Sequence, residues 1–117
     1  MQNTKQYDLE DRCLKFAKET RNFIKLLSTT VANREDGRQL IRSSGSVGAN
    51  YIEANEALSK KDFIMRIMIC RKEAKESQYW LRLIESNTEV SEAERLKLLQ
   101  ESVELTKIFG SILEKSK

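Results

Sequence analysis

The sequence predicts an all-α fold, an antiparallel up-down-up-down four-helix bundle formed as a single domain by residues 1–117. The chain contains no proline and only four glycines, and 33% of its residues are charged. Apolar residues recur at steps of three or four, a spacing that places them on one face of a helix. Because proline interrupts helices, its absence agrees with that pattern. A chain of 117 residues is long enough for one domain with a modest core.

The first two helices are predicted from this apolar spacing. The first is expected from about Lys5 to Val31. The second is expected to begin near Asn33, which can cap it, and to pass through the small-residue cluster, residues 43–49 with the sequence SSGSVGA. Each glycine in this cluster would cost about 1 kcal/mol relative to alanine, so a loop that splits the segment is the alternative. A continuous helix is preferred because the apolar phase is the same on both sides. The predicted stripe of the first helix contains Leu9, Cys13, Phe16, Thr20, Ile24, Leu27 and Val31.

Capping patterns indicate where the last two helices begin. The third is expected to open at Ser59, with Asp62 three residues later, and to run to about Ser86. The fourth is expected to open at Ser91, with Glu94 in the capping-box position. The connections left near residues 32–35, 58–59 and 87–90 are short, and short connections make neighbouring helices antiparallel. The predicted inner stripe of the fourth helix is Leu96, Leu99, Val103, Thr106, Phe109 and Leu113.

Missing residue types exclude several kinds of site. The chain has no histidine, which removes histidine-based catalysis and most zinc and di-iron sites. Cys13 and Cys70 fall in apolar stripes and are expected to be buried free thiols. No lysine of a phosphate-binding loop follows the glycines of the small-residue cluster. We therefore expect a non-enzymatic protein with no metal, no cofactor and no small-molecule substrate.

The distribution of charge is more informative than the net charge of +3, because residues 58–82 carry seven basic and three acidic side chains. A nucleic-acid-binding surface is one interpretation of this excess, and a solvated helix face is the other. No signal-peptide pattern and no run near the ~20 apolar residues of a membrane span is present. A cytoplasmic protein with no membrane partner is therefore expected. The candidate nucleic-acid-binding residues are Lys60, Lys61, Arg66, Lys72, Lys75 and Arg82.

Four glutamates could meet between the second and third helices. Glu53 and Glu56 lie three residues apart on one helix, as do Glu73 and Glu76 on the next. One interpretation is a carboxylate cation site, although nearby arginines would compete with a metal for the carboxylates. The other is ion pairing or hydrogen bonding with neighbouring side chains, namely Arg42, Arg71, Lys72 and Lys75 or Asn50 and Asn55.

The aromatic residues and the small-residue cluster also leave alternatives open. Tyr51, Tyr79 and Trp80 could form a stacking platform for bases, or pack in the core or an oligomer interface. The small-residue cluster allows another helix to approach closely, from within the bundle, from a neighbouring subunit, or both.

Three segments carry a family resemblance: YDLEDRCLKFAKE at residues 7–19, ANREDGRQLIRSSGSVGANYIEANEALSKKDF at 32–63, and RKEAKESQYWLRLI at 71–84. They resemble the four-helix bundle proteins encoded in 23S rRNA intervening sequences. The resemblance covers nearly the whole chain and is strongest in the second and third helices. It implies a short antiparallel bundle that assembles as a homopentamer and has no catalytic residues. A similar bundle occurs in accessory proteins of diversity-generating retroelements, which are basic pentamers that bind nucleic acid and a reverse transcriptase.

Two functions are expected from these observations. The first is an oligomeric bundle that binds structured RNA or an RNA–protein complex. The alternative is a structural or adaptor bundle that acts through self-assembly and protein contacts, without nucleic acid. We expect the second and third helices to be cross-linked by charge between Glu53 and Glu76. The inter-helix or oligomer contacts implied by the resemblance, with Tyr51 added from the aromatic pattern, are Arg42, Ser44, Gly48, Asn50, Tyr51, Glu53, Glu56, Phe63, Arg71, Glu73, Glu76 and Trp80.

Overall fold

A computed structural model describes residues 4–117, with side chains from residue 8 onward, and this part of the chain folds into four α-helices. Helix α1 spans Thr4–Lys25, α2 Val31–Asn55, α3 Lys60–Leu83 and α4 Glu89–Lys115. Each helix packs against its neighbours in the chain, and α4 returns to α1. The bundle measures 45 × 23 × 19 Å, and the predicted antiparallel four-helix fold is confirmed. None of these four helices is long and apolar enough to cross a membrane.

Polar side chains cap the starts of α2, α3 and α4. Thr30, Ser59 and Thr88 have extended backbone, and each accepts a hydrogen bond from the backbone N–H three residues later. The predicted cap at Ser59 is confirmed. The predicted caps at Asn33 and Ser91 were wrong by three residues. Ser91 is instead the third residue of α4, where its side chain completes a capping box with Thr88.

Asn33 has a tertiary role in place of the predicted cap. Its side-chain amide donates to the carbonyls of Ser28, at 3.1 Å, and Glu85, at 3.2 Å. It therefore holds the connection before α2 against the end of α3. The predicted first helix was too long: α1 ends at Lys25, and Val31 begins α2 as an exposed residue.

An ion pair strengthens the start of α4. Arg95 donates to Glu92 through two nitrogens, at 2.8 and 2.7 Å, and Ser86 also donates to Glu92. These hydrogen bonds, that of Arg95 first, lower the pKa of the Glu92 carboxyl to about 2. Arg95 also donates to the carbonyl of Leu81 at 3.1 Å, which ties the end of α3 to α4.

All four helices contribute to the core. Cys13 and Cys70 are buried free thiols, as predicted, and burial raises the pKa of each thiol to about 12. The predicted stripe of α4 was wrong in its first half, since Leu96 is half exposed while Leu98 is buried. The largest fully buried side chains are Phe16, Phe23, Phe109, Leu40, Ile67, Leu81 and Leu105.

Helix α2 runs without a break through the small-residue cluster, as predicted. No described residue has a positive φ, so the glycines of the cluster provide space and not an unusual backbone conformation. A Cβ added at Gly48 would lie 3.1 Å from the Cβ of Cys13 on α1. On the α3 side, the Oγ atoms of Ser43 and Ser77 are 2.8 Å apart. The cluster therefore lets α2 pack closely against two neighbouring helices.

Candidate nucleic-acid interface

A polar seam joins α2 to α3. Arg42 on α2 donates to Oε2 of Glu73 at 2.9 Å and to Oε2 of Glu76. Glu76 also accepts a hydrogen bond from the indole Nε1 of Trp80 at 3.3 Å. The side chain of Glu73 is only 7% exposed, so Arg42 compensates a nearly buried anion.

The seam continues toward the start of α3. Asn50 accepts a hydrogen bond from Nη1 of Arg66 at 3.0 Å and donates to the carbonyl of Ser46 at 2.9 Å. Cys70 donates its S–H to the carbonyl of Val47 at 3.4 Å. Arg66, one of the candidate nucleic-acid-binding residues, is therefore held against α2, away from the other cations of α3.

The register of this seam separates the four glutamates. Arg42 lies opposite Glu73, and Glu53 lies about 16 Å farther along α2 at 1.5 Å per residue. Glu53 and Glu56 are exposed near the start of α3, and no group of acidic or cysteine side chains in the described chain could hold a metal ion. The charge cross-link expected between the two helices is formed by Arg42 with Glu73 and Glu76, and Glu53 takes no part in it.

The aromatic residues do not form one platform. Tyr51 is buried and packs edge-on against Phe109, with ring centroids 5.7 Å apart. Tyr79 and Trp80 pack edge-on against each other at 5.1 Å, and only Tyr79 is largely exposed, at 57%. A shared base-stacking surface of these three residues is therefore absent.

The remaining predicted contact residues lie in different surroundings. Ser44 is buried and donates to the carbonyl of Ile41 in its own helix at 3.3 Å. Phe63 is half-buried. With Tyr51 it lines a groove of about 600 Å³ that lies between the start of α1 and the end of α4. Arg12, which borders the same groove, donates to Glu101 on α4 at 2.7 and 2.8 Å.

The side of α3 that faces away from α2 carries cations without acidic partners. We call this surface the cationic face. Successive residues of a helix are 100° apart around its axis, and on that count the residues of the cationic face lie within an arc of about 100°. None of them forms an ion pair within the described part of the chain. Lys60, the first residue of α3, is also exposed. The cationic face consists of the exposed residues Lys61, Arg71, Lys72, Lys75 and Arg82.

A groove of about 650 Å³, which we call the α3–α4 groove, adjoins the cationic face. Its lining combines an apolar floor with four cations and one carboxylate. That carboxylate, Glu114, accepts a hydrogen bond from Lys117 at 3.0 Å. The groove is lined by Ile64, Met68, Leu113, Arg71, Lys72, Lys75, Lys117 and Glu114.

Ile64 and Met68 follow the apolar spacing of the third helix and Leu113 that of the fourth, so the sequence assigned all three to the core and the groove was not predicted. Met68 is 56% exposed. Lys72 and Lys75 follow Met68 by four and seven residues on the same helix. Residues at these spacings share a helix face, and this is the signal that could have indicated a surface site.

Comparison with known proteins finds one matching family model and a similar solved structure. The family model described as 23S rRNA-intervening sequence protein matches residues 5–111. The chain is also similar to a crystal structure of a protein of unknown function from the S23 ribosomal protein family of Bacteroides thetaiotaomicron. The two are 34% identical with a TM-score of 0.76, and the match covers 89% of this chain and 96% of that one. No curated protein matches the sequence.

Proposed function

The chain belongs to the 23S rRNA-intervening sequence protein family, and from that premise we propose that it is a non-enzymatic homo-oligomeric bundle that binds structured RNA or an RNA–protein complex. The binding surface is the cationic face together with the rim of the α3–α4 groove. The observation that carries the proposal is the set of exposed cations on α3 that have no ion pair within the described chain. Lysines and arginines that cluster on one side of a helix bind the phosphate backbone of a nucleic acid.

The arrangement of charge around α3 supports this surface. The two glutamates in the middle of the helix turn toward α2, where Arg42 binds both. Their negative charge is therefore taken up by Arg42, and neither glutamate forms an ion pair with Lys72 or Lys75. A phosphate that approaches these lysines does not have to displace a carboxylate first. RNA binding would therefore gain the full free energy of counterion release.

Self-assembly is proposed to use the opposite side of the bundle. The contact of Gly48 with Cys13 sets the register of α1 and α2. This register places Leu14 and Ile52, which are 53% and 51% exposed, about 8 Å apart along the α1–α2 seam. Ala49 is exposed beside them. Two large apolar side chains next to a small one form a surface that a second copy could cover.

The two surfaces are compatible with each other. Because each helix packs against its chain neighbours and α4 packs against α1, the α1–α2 seam and the α3–α4 groove lie on opposite sides of the bundle. Copies joined through α1–α2 would leave every cationic face accessible. Several weak RNA sites on one assembly then bind with higher combined affinity. Five copies is the number that the family resemblance implies.

The test of RNA binding is charge reversal of three cationic-face residues, Lys61→Glu, Lys72→Glu and Lys75→Glu, in one variant. Fluorescence anisotropy with labelled rRNA fragments at low salt is expected to show an affinity at least about 10-fold lower than that of the wild type. The slope of log affinity against log salt should fall by about 2 to 3, since each lysine contacts about one phosphate.

A matched control changes the same net charge elsewhere, with Lys18→Glu, Lys25→Glu and Arg34→Glu at exposed positions of α1 and α2. This control is expected to keep most of the affinity and the salt slope. Equal losses in both variants would mean that only net charge matters, and no binding by the wild type at low salt would refute the proposal.

A structural adaptor that acts without nucleic acid is the second candidate, favoured by the exposed Leu14 and Ile52. Multi-angle light scattering separates the two functions. The charge-reversal variant should keep the oligomeric mass of the wild type, while Leu14→Lys with Ile52→Lys should reduce it. A wild type that stays monomeric at high concentration would refute self-assembly.

A further inference from the structure

We propose that the α3–α4 groove binds an unpaired nucleotide of RNA, so that the protein prefers single-stranded segments and loops to uninterrupted duplex. This inference rests on the proposed function and specifies its ligand. It comes from one combination of features: an apolar floor directly beneath a cationic rim in a groove of about 650 Å³. That volume lies within the range of about 300–1,000 Å³ that is usual for small-molecule sites.

The apolar floor has no partner in an RNA duplex. Ile64 and Met68 lie one turn apart on α3, and Leu113 faces them from α4. In a duplex the faces of the bases are stacked, and the protein meets mainly phosphates and 2′-hydroxyl groups. An unpaired nucleotide presents a flat apolar base face as well as phosphate groups. It therefore matches the floor and the rim together.

The positions of the charged groups agree with a base that points into the groove. Arg71, Lys72 and Lys75 border it from α3, and Lys117, two residues beyond the end of α4, lies on the other side. Phosphates beside the inserted base would then meet the three cations of the α3 rim. Glu114, the single acidic side chain of the lining, forms an ion pair with Lys117 at 3.0 Å, so these two charges offset each other and this side of the groove repels an RNA strand only weakly.

The floor is too short to favour an amphipathic peptide helix as the occupant. A helix in a groove uses anchors over at least two turns, at spacings of three, four and seven residues. Here the α3 part of the floor extends over Ile64 and Met68, about 6 Å along the helix axis. That length suits one base. Met68 has a flexible side chain that can adapt to different bases, which predicts little sequence preference.

The experiment compares two RNA ligands and two methionine variants of the full chain. The ligands are a labelled oligonucleotide without self-complementarity and the same strand annealed to its complement. At equal salt, the single strand is expected to bind about 10-fold more tightly, although it carries fewer phosphates. Met68→Ala should weaken binding of the single strand about 5-fold and leave duplex binding unchanged. Met65→Ala is the matched control, since Met65 is 51% exposed on the same helix but does not line the groove.

The outcomes separate this inference from the proposed function. If both RNAs bind equally and Met68→Ala has no effect, the inference is wrong while RNA binding stands. If neither RNA binds, the proposed function fails as well. If an acidic helical peptide displaces the single strand and binds more tightly, the groove belongs to a protein partner and the inference is also wrong. Because Met68 is half exposed, its replacement should leave the fold intact, which circular dichroism can verify.

Discussion

Two glycines inside helices provide a matched test of how closely α1 and α2 pack. Gly48 lies in the middle of α2 and Gly110 in the second half of α4, and neither has a positive φ. Apart from its chain neighbours and the backbone of its own helix, a Cβ at Gly110 would meet no heavy atom within 4 Å, whereas a Cβ at Gly48 would lie 3.1 Å from the Cβ of Cys13 and 3.7 Å from its carbonyl carbon. The two substitutions to alanine therefore differ mainly in their tertiary contacts.

The expected free energies of unfolding follow from this difference. Alanine is more favourable than glycine in a helix interior by about 1 kcal/mol, so Gly110→Ala should stabilise the protein by that amount and raise Tm by about 4 °C. Gly48→Ala gains the same helix propensity but forces Cys13 and its helix outward. Overpacking of a close contact costs about 1–3 kcal/mol. The net effect of Gly48→Ala should therefore lie between no change and a loss of about 2 kcal/mol.

Urea unfolding followed by circular dichroism measures both changes. Each variant should be compared with the wild type at several protein concentrations, since oligomerisation would add a concentration-dependent term. Gly48→Leu should lower the free energy of unfolding further than Gly48→Ala does. A Gly48→Ala variant that is as strongly stabilised as Gly110→Ala would refute the close approach of α1 and α2 at this position.

Three other contacts have measurable consequences. Arg42→Ala leaves the nearly buried Glu73 carboxylate without its cation and should cost about 2 kcal/mol in urea unfolding. Adding Glu73→Gln should restore part of that loss; a double variant that is equally unstable would contradict the ion-pair role. The thiols of Cys13 and Cys70, with pKa values of about 12, should react with a disulfide reagent only after unfolding, and rapid labelling of the folded protein would contradict their burial. Glu92 has a folded-state pKa of about 2, below its ordinary value of 4.5. Its contribution is present above about pH 4.5 and is lost as the pH falls toward 2, so Glu92→Gln should flatten acid unfolding in that window, and an unchanged acid profile would count against it.

The bundle itself could be predicted because its helices carry strong periodic and capping signals. Ser59 caps α3 through its own side chain, and that local interaction can be identified from the sequence. The boundary near Val31 could not be identified in the same way, because the apolar steps continue across the break between α1 and α2. The break depends on a tertiary contact. The side chain of Asn33 donates hydrogen bonds to a carbonyl in the α1–α2 connection and to a carbonyl at the end of α3.

The candidate site was predicted only in part, because its residues are sorted by helix register. The basic residues of α3 could be identified from the sequence, but Arg66 is bound to Asn50 on the α2 side. The same register brings Arg42 to Glu73 and leaves Glu53 about 16 Å away along α2. A shift in register between the two helices would give these side chains other partners. Apolar spacing alone does not specify such a shift.

Charge separation around α3 links the fold to the proposed function. Arg42 neutralises the central glutamates on one side of the helix. The opposite side keeps its lysines exposed and borders a groove with an apolar floor. The α2–α3 ion pairs therefore stabilise the bundle, and in the proposed function they leave the lysines of the cationic face available to RNA.

Lysine acetylation of the protein with and without a single-stranded RNA, read by mass spectrometry, tests the central claim most directly. Bound RNA should protect Lys61, Lys72 and Lys75 on α3, while the exposed Lys18 and Lys25 on α1 react as in the free protein. Charge attraction without a defined site would protect all five to a similar extent. Uniform protection, or protection confined to α1, would contradict binding through the cationic face.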